Sequence, residues 1–223
     1  MSSHLFLFGG GPPFTKTMAK KFVQLASMKV KPVSIIFVER DGWEEYMPRY
    51  TEALQNEGAN DFRYIPLPST PMDEVIHNIR ESSGIIIGGG NTNMYADYIV
   101  DTEISHAIKE KYKTGTPIAG FSAGALISPK ECVISPQDNI LQKFQHRPGL
   151  GLVENMVIAV HFSEWNDEEH LRNIASAFPY YQHYGIDEQS CLYCLNGMPV
   201  ETDGKGMYSI IHNQITKTDK TSL

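Results

Sequence analysis

The sequence predicts an α/β protein built on a mostly parallel sheet with helices on both faces, and three observations carry that reading. Short continuous apolar runs alternate with stretches of helical spacing through the first half of the chain, as in repeated strand–helix–strand units. Three strand candidates end in glycine-containing loops, at residues 9–11, 88–90 and 120–124. Parallel sheets build their sites at such carboxyl ends, so these loops are expected to line one crevice. The 223 residues suit one large domain with a substantial core, expected to span residues 1–223.

Taken in order, Leu5, Phe6, Leu7 and Phe8 form a buried strand running into Gly9, Gly10 and Gly11. Residues 15–28 carry Met18, Phe22, Leu25 and Ala26 at helical spacing. A second strand is expected at 32–38, a helix around Trp43, Tyr46 and 50–54, a third strand at 62–67 and a helix at 72–80. Residues 84–87 make a fourth strand entering Gly88, Gly89, Gly90 and Asn91, and a helix or helix pair covers 94–112. Pro117, Ile118 and Ala119 open a fifth strand that reaches Gly120, Phe121, Ser122, Ala123 and Gly124 and leaves as a small-residue helix start. Beyond Pro129 short apolar pieces near Val133 and at 157–160 alternate with polar loops. A helix is expected at 167–178 and short strands with glycine turns at 190–215, and residues 216–223 read as a frayed tail.

The composition excludes several classes. A formal net charge of −7 argues against nucleic acid or an anionic membrane as the partner, while leaving room for a local basic pocket. Three cysteines are too few and too irregular for a disulfide framework. Cys191 and Cys194 have the spacing of a redox or zinc half-motif, but they lie in an apolar strand, where residues three apart point to opposite faces. The chain lacks the pattern of a signal peptide, and no apolar run nears the roughly 20 residues that span a bilayer. A cytoplasmic protein is expected, with no metal or cofactor, acting on a small peptide or acyl substrate as a monomer or homodimer.

Residues 120–124 spell the G-x-S-x-G nucleophile elbow, a turn so tight that bulk at either glycine would strike the neighbouring strand or helix. A bare match is also found in strand-to-helix turns without chemistry. A serine hydroxyl needs an adjacent base, and the base needs an orienting group. His161, at the end of the apolar run 157–160, is best placed for the base; the plainer alternative is an edge histidine satisfied by the fold. Asp187 and Glu188, before the next strand, are candidate acids, although a polar turn would use the same residues. The loop at 88–91 lacks the Lys-Ser/Thr ending of a P-loop, so an oxyanion role is preferred, one N–H beside that of Ala123. Loss of one such donor costs roughly 100-fold in rate.

The loop at 88–92, the elbow at 119–125, the His161–Phe162 pair and residues 185–188 (Gly185, Ile186, Asp187, Glu188) occur in an order that resembles the peptidase E (aspartyl dipeptidase) and cyanophycinase family of serine peptidases. The likeness runs from the first strand to about residue 195. It implies a three-layer, flavodoxin-like fold similar to class I glutamine amidotransferases, with serine in place of their cysteine. It also implies hydrolysis of a peptide bond beside aspartate through an acyl-enzyme. Carried over, Ser122 matches the nucleophile, His161 the base, and Glu188 the acid with Asp187 as competitor. Gly89 or Gly90 and Ala123 match the oxyanion hole, and Asn91, Thr92 and Arg172 stand as substrate-binding candidates. The resemblance also brings arginines shortly after the histidine in aspartyl-cleaving members. Here the segment is acidic until Arg172, which leaves a basic or neutral residue before the scissile bond, or another acyl substrate, open.

Two other functions fit parts of the pattern. An α/β-hydrolase esterase would pair Ser122 with His212 and Asp187 or Asp203. A catalytically silent binding or regulatory homologue would keep the triad residues without a working substrate pocket.

Overall fold

The computed structural model describes residues 1–26, 31–211 and 213–218. In its first half the apolar runs become strands β1 (His4–Phe8), β2 (Val33–Val38), β3 (Phe62–Leu67), β4 (Gly84–Ile87) and β5 (Ile118–Phe121). Between them lie α1 (Lys16–Ala26), α2 (Trp43–Tyr46), α3 (Pro48–Gln55), α4 (Met72–Arg80), α5 (Thr92–Tyr95), a π-helical turn (Ala96–Val100) and α6 (Ile104–Lys113). After α7 (Ala123–Leu126) come β6 (Glu131–Ile134), a 3-10 turn (Pro136–Asp138), β7 (Gln145–Pro148), β8 (Met156–Val160), α8 (Glu168–Ala177) and β9 (Gln182–Ile186). The chain continues through β10 (Cys191–Leu195), β11 (Met198–Asp203), β12 (Met207–Ile211) and β13 (Gln214–Lys217).

The main sheet has the order β11-β10-β1-β5-β4-β2-β3, with β1 to β5 parallel and the last two strands antiparallel at one edge. The alternation along β1 shows why both faces are covered. Leu5 and Leu7 enter one core with α4 and α6, whereas Phe6 and Phe8 enter the other with α1 and α3. Cys194 and Cys191 divide between the same two cores, as their spacing in a strand requires, and burial pushes the Cys194 thiol up to about 12. A second sheet, β13-β12-β9-β8, carries a smaller core of Val157, Ala159 and Phe162 against Leu171 and Ile174. β6 and β7 form a separate antiparallel pair.

Three departures from the sequence reading have local causes. The helix expected around residues 43–54 is two helices, because Pro48 has no N–H to continue the first and instead starts the second. The helix expected at 94–112 begins earlier, where Asn91 Oδ1 accepts from the Met94 N–H at 3.1 Å. It is then interrupted where the Thr102 hydroxyl donates to the Tyr98 carbonyl and accepts from the Ile104 N–H. Finally, Thr216 and Lys217 belong to β13, paired with Ser209 and Tyr208, rather than to a frayed tail. Met28, residues 219–223 and His212, the base in the esterase alternative, lie outside the described residues. No helix among the described residues is long and apolar enough to cross a membrane.

His170, on the inner side of α8, is buried, and its Nδ1 has no hydrogen-bond partner among the described residues. Burial lowers its pKa to about 4, against 6.5 for a free imidazole. The unfolded chain therefore takes up this proton at higher pH than the folded chain. The stabilisation is fully present above pH 6.5 and is lost as the pH falls through 4, over a range worth roughly 3 kcal/mol. Urea unfolding at several pH values is expected to show this loss and to show it flattened in His170→Asn, measured as a difference in slope.

Candidate active site

The elbow is set by close backbone approach. A Cβ on Gly120 would lie 2.4 Å from the Gly124 carbonyl oxygen, and one on Gly124 would lie 2.3 Å from that of Ile87. Ser122, between β5 and α7, takes φ 48° and ψ −107°, a conformation that non-glycine residues hold only under constraint. Two hydrogen bonds supply that constraint: the Ser122 N–H donates to the Phe8 carbonyl at 3.0 Å and the Gly124 N–H to the Gly88 carbonyl at 3.1 Å.

His161 leaves the end of β8 with φ 49°, its N–H donating to the Gly9 carbonyl at 2.8 Å. Its Nε2 lies 3.0 Å from Ser122 Oγ, and its Nδ1 lies 2.7 Å from Glu188 Oε1. A carboxylate can only accept, so it fixes the proton of the neutral ring on Nδ1 and turns the Nε2 lone pair toward the serine. Gly10 makes room for the acid, since a Cβ there would fall 2.8 Å from Glu188 Cγ. Asp187, the competing acid, points elsewhere. Its Oδ1 accepts from the Ser163 N–H at 2.9 Å and its N–H donates to the Gly206 carbonyl at 3.1 Å, so it braces the turn after the histidine.

The acidic segment after His161 is largely structural. The Glu188 N–H is shared between both carboxylate oxygens of Glu164 at 3.2 Å, Asp167 is buried, and Glu168 and Glu169 sit in the first turn of α8, where the helix dipole favours them. Trp165 stacks on the His161 ring with centroids 4.4 Å apart and planes at 23°. Its N–H donates to the His161 carbonyl at 2.9 Å, and its own carbonyl accepts from Gln137 Nε2 at 2.5 Å.

The glycine loop is held by two buried tyrosines. The Gly89 N–H donates to the Tyr50 hydroxyl and the Tyr95 hydroxyl donates to the Gly89 carbonyl, each at 3.1 Å. Burial raises both phenols well above their ordinary value, so they remain neutral. Of the two glycines named from the sequence, Gly89 thus has its N–H engaged, whereas Gly90 adopts φ 154° at the mouth of the loop. The Asn91 Oδ1 caps α5, and the buried Thr92 hydroxyl donates to Asp138 Oδ2 at 2.6 Å. Arg172 is not brought to the site. Leu171 and Ile174 define the inward side of α8, which turns Arg172 outward to the Asn213 carbonyl at 3.1 Å, in a cleft with Ala175, Ser176 and Ile210. No group of three or more His, Cys, Asp or Glu among the described residues could hold a metal ion.

Trp165 and Asp138 were missed in the sequence. An aromatic residue four positions after His161 in an otherwise polar segment is a signal for the first; the second has none, since its place depends on the hairpin of β6 and β7 folding back.

Residues 5–200 match the family described as Peptidase family S51. The chain belongs to this family. Among curated relatives, the cyanophycinase of Geminocystis herdmanii is 23% identical over 176 residues, 74% of this chain and 64% of that protein. The peptidase E of Haemophilus influenzae is 27% identical over 165 residues, covering 70% of this chain and 72% of its own. The matched stretch is only 60% of the length of the Trichormus variabilis cyanophycinase, so the chain spans under two thirds of these cyanophycinases. A solved peptidase from an acI-B1 Actinobacterium superposes with a TM-score of 0.72 at 18% identity, covering 100% of this chain and 96% of its own. A putative peptidase E from Listeria monocytogenes EGD-e gives 0.67 at 19%, covering 92% and 100%. These two likenesses establish the mostly parallel α/β fold.

The indole stacked on His161 covers one face of the ring and holds its plane toward Ser122. Trp165→Ala is expected to slow fluorophosphonate labelling of Ser122 about tenfold, with Trp165→Phe retaining most of the rate. Rates measured from pH 5 to 9 check this, and equal rates for all three proteins would refute the role.

Proposed function

We propose that this S51 chain is a serine peptidase acting through an acyl-enzyme, with Ser122 as nucleophile, His161 as general base and Glu188 as orienting acid. The observation that carries the reading is the continuous relay from Ser122 Oγ to His161 Nε2 at 3.0 Å and from His161 Nδ1 to Glu188 at 2.7 Å. Both distances lie within hydrogen-bond reach, as proton transfer during attack requires.

In the first step Ser122 Oγ attacks the peptide carbonyl while His161 takes its proton. The imidazolium so formed is stabilised by the Glu188 carboxylate and then protonates the leaving amine. Water repeats the sequence on the ester and releases the acid. The negative oxygen of each tetrahedral intermediate is assigned to the N–H groups of Ala123 and Gly90; Gly89 is set aside because its N–H already serves Tyr50. The name peptidase E of one relative supports a peptide as substrate.

Ser122→Ala and His161→Ala are each expected to reduce dipeptide hydrolysis by a thousandfold or more, and Glu188→Gln by at least a hundredfold, with melting temperatures near wild type. His212→Ala is expected to leave acylation intact. Loss of acylation with His212→Ala alone would instead establish the esterase arrangement. Screening dipeptides with N-terminal Asp, Asn, Glu, Lys and neutral residues supplies the substrate for these assays.

A further inference from the structure

Resting on the serine-peptidase reading, we propose that Asp138 is the specificity-determining residue of the site, receiving a cationic group of the peptide bound at Ser122. The placement of this carboxylate carries the inference. Asp138 ends the 3-10 turn between β6 and β7, and its Oδ2 accepts from Thr92 Oγ1 at 2.6 Å, two residues beyond Gly90. Its neighbour Gln137 donates to the carbonyl of Trp165, whose indole lies on His161. The carboxylate is thereby suspended between the glycine loop and the catalytic histidine.

Asp138 is half-buried and has no ion-pair partner among the described residues. Beside it, Asp167 is buried with Oδ2 lacking any hydrogen-bond partner among the described residues. Burial raises both carboxyls; the Thr92 hydroxyl draws Asp138 back down, while Asp167 pushes it further up. A half-buried carboxylate without a counter-ion is partly desolvated at a cost, and a cation supplied by the substrate offsets it.

The arginines in the part of the chain after the elbow are engaged elsewhere. Two arginines follow the elbow in sequence. Arg147 on β7 is held by Asp97 at 2.6 Å, Asp101 at 2.7 Å and the Asn93 carbonyl at 3.1 Å. Arg172 is bound to Asn213 on the outer side of α8. An aspartyl side chain finds neither guanidinium at Ser122, whereas a cation finds Asp138.

The cation is either the α-ammonium of an N-terminal residue or a Lys or Arg side chain. Aminoacyl methylcoumarylamides of Lys, Arg, norleucine and Asp, free and N-acetylated, separate the two. The free Lys and Arg substrates are expected to exceed N-acetyl-norleucine in kcat/KM by tenfold or more. Asp138→Asn is expected to collapse that ratio through KM, and Asp138→Glu to retain part of it. A ratio of rates is unaffected by partial loss of folded enzyme. Loss of rate on N-acetylation identifies the α-ammonium; loss only with norleucine identifies the side chain. An unchanged ratio in Asp138→Asn, or no turnover of cationic substrates by an enzyme that fluorophosphonate labels, would each overturn the proposal. A Ser122 that does not label would instead overturn the serine-peptidase reading beneath it.

Discussion

Two consecutive carbonyls at the end of β1 hold the backbones of the two residues that meet at the site. Phe8 accepts from Ser122 and Gly9 from His161, while the Gly9 N–H returns to the Ser190 carbonyl in the turn after Glu188. The three parts of the relay come from β5, β8 and the segment after β9, which belong to two different sheets. Nothing in their sequence separation brings them together; the shared strand end does. β1 can serve because it lies inside the main sheet, paired with β5 on one side and β10 on the other.

The same strand end explains the packing beneath the serine. Phe8 stacks face to face on Phe121 at 4.3 Å, and Phe14 and Tyr50 meet Phe121 edge-on at 5.0 and 5.3 Å. Tyr50 then reaches upward to the glycine loop with its hydroxyl. One aromatic cluster therefore sets both the height of the elbow and the position of the loop facing it. The positive φ values at Ser122 and His161 are each opposed by a main-chain hydrogen bond to β1, so the strain is carried by the most rigid part of the sheet.

Much of this was legible in the residues. The alternating Leu5, Phe6, Leu7 and Phe8 announced a strand buried on both faces, and the glycines at 120 and 124 announced a turn with no room for side chains. His161 stood out because it ends an apolar run, and Asp187 and Glu188 because they precede a strand; the preference for Glu188 came from the family resemblance. Other features depend on contacts that no local pattern encodes. The Thr102 interruption before α6 follows from a side chain competing with the helix backbone, and Arg172 faces away because of the phase of α8. Gly89 lost its candidate role to a tyrosine from a distant helix. The stacking of Trp165 and the placement of Asp138 arise only once the chain after the elbow has folded back over the sheet.

The separate hairpin of β6 and β7 divides labour within the molecule. The relay hangs on β1, but Asp138 and Arg147 sit on a two-stranded ribbon that pairs with neither larger sheet and touches the glycine loop through side chains of Thr92 and Asn93. Rebuilding that ribbon would redraw the wall of the cleft while leaving the hydrogen bonds around Ser122 and His161 in place. Under the proposed reading, substrate preference can thus change through this ribbon while Ser122 and His161 stay aligned on the end of β1.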